Sequence, residues 1–247
     1  MASTISSVII IPARMASERF PGKPMAMAGG KPLLEWTWLR AQQTNCDHVL
    51  IATPDREIGQ YCQDKGILWR PSSEELPTGT HRCADVAAHM KRKFDVVVDW
   101  QVDEPLVDPQ AVDRLVDLVQ NRRDVVGTLA APFVWDEFYN TNVVKVAVSK
   151  GENIHPKDQN RCNWFSRGEL GGSMAHIGVY AFGWHTLGDL GRMPRTMLSK
   201  AESLEQLAWI ERGIRVFEVD AKSLPLSINT PEDFEKFKAD RNAFSRG

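Results

Sequence analysis

Between Pro12 and Pro24 the chain sets Arg14, Arg19 and Lys23 in one stretch, with Ala13 and Ser17 among them and Gly22 just before the lysine. Ahead of it, Val8-Ile9-Ile10-Ile11 reads as a buried strand, and a helical pattern resumes near Pro32. A strand, a basic loop and then a helix suit a polyphosphate, because cationic side chains and free backbone N–H groups converge on its oxygens. The G-x-x-x-x-G-K-S/T spacing of a Walker loop is absent, and so is a G-x-G-x-x-G dinucleotide fingerprint. A basic loop can also simply be solvated. Three cations and two prolines so soon after the first strand favour the phosphate site.

Five other stretches could carry chemistry. Trp100-Gln101-Val102-Asp103-Glu104-Pro105 puts a carboxylate directly after an apolar strand. Asp103 there could hold Mg²⁺ against phosphates, since magnesium is commonly bound by one or two carboxylates plus substrate oxygens. It could equally cap the turn before proline, and spacing leaves both readings open. Thr78-Gly79-Thr80-His81-Arg82 has the form of a loop entering a helix N-terminus, where N–H groups can meet a base or a phosphate. Taken alone it is an ordinary threonine N-cap. Phe165-Ser166-Arg167 and His176-Ile177-Gly178-Val179-Tyr180 place polar groups on strands, with His176 and Tyr180 on one face. A histidine so placed is more often a satisfied core residue than a ligand. Glu205-Gln206 lies on a helical stretch whose Leu204 and Leu207 face inward, and a solvated pair is the default for it.

The elements that must position these groups alternate. Strands are expected at Val8–Pro12, His48–Thr53, Ile67–Arg70, Phe94–Gln101 and Val125–Ala131. Helices are expected at Pro32–Thr44, Arg56–Lys65, Thr80–Lys91 and Pro109–Asn121. Such spacing implies an α/β fold, a three-layer and mostly parallel sheet with ligands at the carboxyl ends of its strands. From Asn140 the pattern changes: a strand at Val143–Val148, a loop over 149–163, a joint at Gly171-Gly172, a strand at His176–Phe182. A helix over Ala201–Arg212, a strand at Val216–Val219 and a last helix capped by Thr230 complete the chain. Residues 1–247 are expected to form one domain, with 140–215 as an inserted excursion for substrate binding and dimer contact.

Size and composition agree. The chain has 247 residues, 43% of them apolar, enough for a full core. A formal charge of -2 offers no global attraction to nucleic acid or an anionic membrane, so anion binding must be local. Cys46, Cys62, Cys83 and Cys162 show neither C-x-x-C pairing nor zinc spacing with the six histidines. The first residues lack the basic and apolar regions of a signal peptide, and no run approaches the ~20 apolar residues of a membrane span. A cytoplasmic protein is expected.

Together these motifs resemble the 3-deoxy-manno-octulosonate (Kdo) cytidylyltransferases, a family with the nucleotidyltransferase-like sheet. Pro12 through Pro24 is similar to its P-A-R-x-x-S-x-R-x-P-G-K-P signature, and Thr78-Gly79-Thr80-His81-Arg82 to its S-G-T-x-R. Gln101 to Pro105 resembles Q-G-D-E-P, Phe165-Ser166-Arg167 matches F-S-R, and His176 to Tyr180 matches H-I-G-I-Y. Glu202 to Leu207 matches E-x-L-E-Q-L, and Ile228 to Asp233 resembles V-D-T-P-E-D.

The resemblance implies transfer of CMP from CTP to a sugar acid with release of pyrophosphate, in lipopolysaccharide biosynthesis, by a homodimer. It implies that Arg14 and Lys23 hold the CTP phosphates while Pro12, Ala13, Ser17 and Arg19 shape the loop. Gln101, Thr78, Gly79, Thr80 and Arg82 would serve the nucleotide, and Asp103 with Asn229 would face Mg²⁺. Arg167, His176, Tyr180, Glu205 and Gln206 would line the acceptor pocket. Arg167 suits a carboxylate, since its planar fork can grip both oxygens. Three positions depart from the pattern. Asn229 replaces an aspartate, Val102 replaces a glycine, and Thr196-Met197-Leu198-Ser199 stands where the family has S/T-P-L-E. An amino-Kdo, a phosphonate acceptor or a nucleotide-binding regulator are the alternatives these departures raise.

Overall fold

The computed structural model describes residues 6–17, 19–120, 122, 124–134 and 137–240. Residues 1–5, and Asn121 at the expected end of the fourth helix, lie outside the described residues. The strands are β1 (Ser7–Pro12), β2 (Met27–Ala28), β3 (Lys31–Pro32), β4 (His48–Thr53), β5 (Trp69–Pro71), β6 (Val96–Trp100), β7 (Val125–Ala131), β8 (Lys145–Ser149), β9 (Arg161–Ser166), β10 (Met174–Gly183) and β11 (Arg215–Asp220). The helices are α1 (Leu33–Ala41), α2 (Arg56–Lys65), α3 (Gly79–Ala88), α4 (Pro109–Gln120), α5 (Trp184–Leu190), α6 (Met197–Ala201), α7 (Glu205–Glu211) and α8 (Pro231–Ala239).

Nine strands form one sheet in the order β5-β4-β1-β6-β10-β7-β11-β9-β8. Side chains alternate across it with the period of a strand. Ile9 and Ile11 join a core with Leu34, Ile58 and Leu115 of α1, α2 and α4. Val8 and Ile10 join a second core with Cys83, Leu187 and Leu207 of α3, α5 and α7. Helices therefore cover both faces.

The sheet is mixed, which corrects the expectation of mostly parallel strands. β1 runs parallel to β4 and β6, β4 to β5, and β7 to β11. β10 is antiparallel to β6 and β7, and β9 is antiparallel to β11 and β8. Parallel neighbours need a crossover, usually a helix, and no α-helix is found between β7 and β10 among the described residues. Nor is 140–215 a simple excursion. It supplies β8 and β9 at one edge, but its β10 lies between β6 and β7 in the middle of the sheet. β8 also pairs with the start of β10, so β10, β7, β11, β9 and β8 close into a ring.

Two local expectations also change. β9 begins inside the stretch read as a loop, because Arg161 and Cys162 pair with both β11 and β8. The helix expected over Ala201–Arg212 is shorter: α6 ends at Ala201 and α7 begins only at Glu205. Ser203 between them sits at φ 53, a left-handed conformation that a continuing helix does not allow.

An antiparallel strand presents its start where parallel neighbours present their ends. The beginning of β10 thus meets the loops after β1 and β6. The C-terminal helix is brought to the same rim by backbone bonds: Ile228 N–H donates to the Asp103 carbonyl at 2.8 Å, and Lys23 Nζ donates to the Ile228 carbonyl at 3.1 Å. α8 starts with a reciprocal capping box between Thr230 and Asp233. Thr230→Ala should cost about 1 kcal/mol, read as a lower urea midpoint. An unchanged midpoint would mean that Phe234 and Phe237, packed against Leu33 and Trp36, hold α8 without its cap.

Candidate active site

The loops after β1 and β6, the start of α3, the start of β10 and the start of α7 enclose one cleft of about 670 Å³. Pro12, Ala13, Arg14, Ser17, Arg19 and Lys23 line it from the basic loop. Thr78, Gly79, Arg82, Gln101 and Asp103 line it from α3 and β6, and Arg167, His176, Tyr180, Glu205, Gln206 and Asn229 from the other side. Thr80 is the exception among the residues singled out from sequence. It is buried, and its hydroxyl donates to Asp99 Oδ2 at 3.1 Å, beneath the cleft rather than into it.

On the side of the basic loop, Met15 N–H holds that loop down by donating to Asp55 Oδ2 at 2.8 Å. Lys23 follows Gly22, which takes φ 74, and its ammonium is 2.6 Å from Asp103 Oδ2. The two groups read from sequence as phosphate cation and metal carboxylate thus meet. Arg82 is buried and gives Nη1 to Ser72 Oγ at 2.6 Å and to the Ser73 carbonyl at 2.8 Å. Burial and the charge of Arg14 lower its pKa, so it supports the loop wall while Arg14 remains exposed.

Beneath them, Gln101 Nε2 donates to Asp99 Oδ1 at 2.6 Å. A Cβ on Gly79 would come within 2.3 Å of that Nε2, so a larger residue there would have to displace the Gln101 amide from Asp99. Asp99 is fully buried, and burial with the nearby Glu205 pushes its carboxyl well above the usual range. Val102, the bulkier residue in the glycine's place, is accommodated in the core, and its carbonyl accepts from Thr37 Oγ1 at 2.8 Å.

On the far side, His176 is buried, stacked on Tyr180 and edge-on to Phe165. The Thr128 hydroxyl donates to the Val179 carbonyl, so it accepts from His176 Nε2–H at 2.9 Å, leaving Nδ1 as the ring's acceptor. Burial, with Arg167 nearby, drives its pKa down to about 3. His176 is therefore a neutral wall rather than a titrating acid. Gln206 Nε2 donates to Tyr180 Oη, and Gln206 Oε1 is buried without a partner. Arg167 is half-buried and donates from Nε to the Glu202 carbonyl at 3.3 Å and from Nη1 to the Thr141 carbonyl at 3.2 Å.

Asn229 stands at the rim with its Oδ1 accepting from Arg19 Nη2 at 2.9 Å. Of the two residues expected at a metal, Asp103 is thus the one with a charge to offer. Among the described residues no three His, Cys, Asp or Glu side chains converge as a metal site. A single carboxylate completed by substrate phosphates still fits Mg²⁺. The departed stretch Thr196 to Ser199 forms the N-cap of α6, with Thr196 Oγ1 accepting from Ser199 N–H at 3.1 Å.

Sequence reasoning missed Glu104 and Arg195. Glu104 Oε1 accepts from Ser227 Oγ at 2.8 Å and Gly178 N–H at 3.2 Å, while Oε2 is buried and unpartnered. Arg195 Nη2 donates to the Ser199 carbonyl at 2.5 Å, and its Nε has no partner. Glu104 stood beside Asp103 in a motif already noticed. Arg195 is a lone arginine before a turn and gave no signal.

Burial first, and then the Asp103 charge, push the Glu104 carboxyl up to about 8; Ser227, Gly178 and Lys23 oppose them. The folded chain then keeps a proton that the unfolded chain releases near 4.5. Stability from this group is complete below that value and is lost as pH rises through about 8. Glu104→Gln should flatten this part of the decline in urea midpoints between pH 5 and 9. Parallel curves for the two proteins would mean that Glu104 is ionised when folded.

A cytidylyltransferase family profile matches residues 8–219. A 3-deoxy-manno-octulosonate cytidylyltransferase of Anaeromyxobacter sp. (strain Fw109-5) is 36% identical over 245 residues, covering 94% of this chain and 95% of that protein. One of Thermodesulfovibrio yellowstonii is 32% identical over 255 residues, covering 97% and 99%. Among solved structures, a CMP:2-keto-3-deoxy-manno-octonic acid synthetase complexed with CTP superposes with a TM-score of 0.84 at 28% identity, covering 95% of this chain and 97% of that one.

Proposed function

The chain belongs to the cytidylyltransferase family, and from that premise we propose that it transfers CMP from CTP to Kdo, releasing pyrophosphate. The observation that carries the reading is the single cleft in which Lys23 and Asp103 face Arg167, His176, Tyr180 and Gln206. The shared name of the relatives favours Kdo over an amino-Kdo or a phosphonate. Retention of Lys23, Asp103 and Arg167 argues against a regulator that only binds nucleotide.

In this reaction the anomeric oxygen forms a bond to the α-phosphorus, the bond from that phosphorus to the β-bridging oxygen breaks, and the hydroxyl proton is lost. Negative charge grows on phosphate oxygens, so positioning and cationic stabilisation do most of the work. Arg14 and Lys23 supply the charge. Gln101 and the α3 start hold the base. His176 and Tyr180 wall the acceptor, and Arg167 grips its carboxylate. Asp103 would hold Mg²⁺, whose contribution when bound is to neutralise the phosphates. Among the described residues no helix is long and apolar enough to cross a membrane. We propose further that the protein works in the cytoplasm as a homodimer, supplying activated Kdo for lipopolysaccharide.

The test is purified protein with CTP, Mg²⁺ and Kdo. Pyrophosphate release that depends on all three, with CMP-Kdo detected by mass spectrometry, is expected. Release with another acid but not Kdo would overturn the acceptor assignment.

A further inference from the structure

Three cations beside the acceptor wall, Lys145, Arg19 and Arg167, hydrogen-bond to neutral groups among the described residues. Lys145 is 1% exposed, and its Nζ donates to the carbonyls of Asn140 at 2.7 Å, Val143 at 2.9 Å and Arg167 at 3.3 Å. One ammonium thus staples the turn before β8 to the end of β9. Two guanidiniums fasten to adjacent residues of that turn. Arg167 Nη1 donates to the Thr141 carbonyl at 3.2 Å, and Arg19 Nη1 donates to Asn142 Oδ1 at 2.8 Å. The remaining terminal nitrogen of Arg19 donates to Asn229 Oδ1 at 2.9 Å.

The two arginines come from segments far apart in the chain, one from the loop after β1 and one from the end of β9. They lie close enough for Arg19 to lower the pKa of Arg167, an effect second only to burial. Among the described residues, neither pairs with a carboxylate. Glu202 is felt by Arg167 only at a distance, through its charge. Like charges side by side repel unless an anion stands between them, and among the described residues no carboxylate is in contact with this pair.

We propose that Arg19 and Arg167 form a paired clamp on the anionic group of the acceptor, with Asn142 and Asn229 as positioning residues that hold Arg19 without cancelling its charge. The inference rests on the cytidylyltransferase reading of the cleft. It gives Arg19 an acceptor-side role besides shaping the basic loop. It also gives Asn229 a role other than metal ligation, since its one side-chain oxygen is engaged by Arg19. An aspartate there would cancel the charge that an asparagine leaves available.

The sign of one isosteric change separates the alternatives. Kdo affinity would be measured by calorimetry on protein saturated with Mg²⁺ and a non-hydrolysable CTP analogue, beside steady-state kinetics. Asn229→Asp is expected to weaken Kdo about fivefold, more than Asn229→Ala or Asn142→Ala, with the KM for CTP and the Mg²⁺ midpoint unchanged. In an Arg19→Gln background the Asn229→Asp effect should vanish. A merely structural role would make the isostere milder than alanine, and metal ligation would lower the Mg²⁺ midpoint in Asn229→Asp. Either result overturns the clamp. Wild-type protein that neither binds nor turns over Kdo would instead overturn the functional reading, whatever the variants do.

Discussion

Lys23→Ala is expected to lower turnover by about 10²-fold or more, the scale of losing one electrostatic contact made to the transition state. The lysine is buried at the root of the basic loop, within 2.6 Å of Asp103, where phosphate oxygens and a carboxylate would compete for one ammonium. In the transition state charge accumulates on the departing pyrophosphate, and a fixed cation in a partly dry cleft acts more strongly than one in water. Lys23 also donates to the Ile228 carbonyl, so part of the loss could be structural. Lys23→Arg restores charge but not shape, and melting temperatures of both variants would separate the two effects. Near-normal turnover in a folded Lys23→Ala protein would remove the phosphate assignment.

Arg167→Ala should raise the KM for Kdo about 30-fold, the range of losing hydrogen bonds to a charged group, while the KM for CTP changes little. Arg167→Lys is the sharper variant. It keeps the charge, but an ammonium cannot hold the Thr141 and Glu202 carbonyls and still present a fork to a carboxylate. A several-fold rise in the KM for Kdo is expected from it. Equal effects on CTP and Kdo would mean that Arg167 holds the ring of strands together, and the acceptor would then be gripped elsewhere. An exposed arginine in a solvated ion pair would show almost nothing in either assay.

Sequence alone determined the longer elements of the first half, though not the short pair β2 and β3, and most residues of the cleft. An apolar run of strand length, a proline-broken basic loop and a capped helix are local signals, each carried by neighbouring residues. Val8–Pro12, Arg56–Lys65 and the Thr230 cap therefore stand where local reading puts them. Motif order then named Lys23, Asp103, Arg167 and Tyr180 before any contact was known.

What only the tertiary structure decided depends on residues far apart in the chain. The direction of β10 is set by which strands lie beside it, and its own residues read alike in either direction. The break at Ser203 follows from packing Leu204 and Gln206 inward at once, which a helical period over Ala201–Arg212 did not require. The partner of Asn229 in this structure is Arg19, 210 residues away in sequence. Its side-chain oxygen suited a metal or a guanidinium equally well by composition. Glu104 became a raised carboxyl only because distant segments bury it beside Asp103, against the opposing hydrogen bonds from Ser227 and Gly178. Charge and residue type are properties of the sequence; desolvation and partnership arise only when distant segments exclude water together.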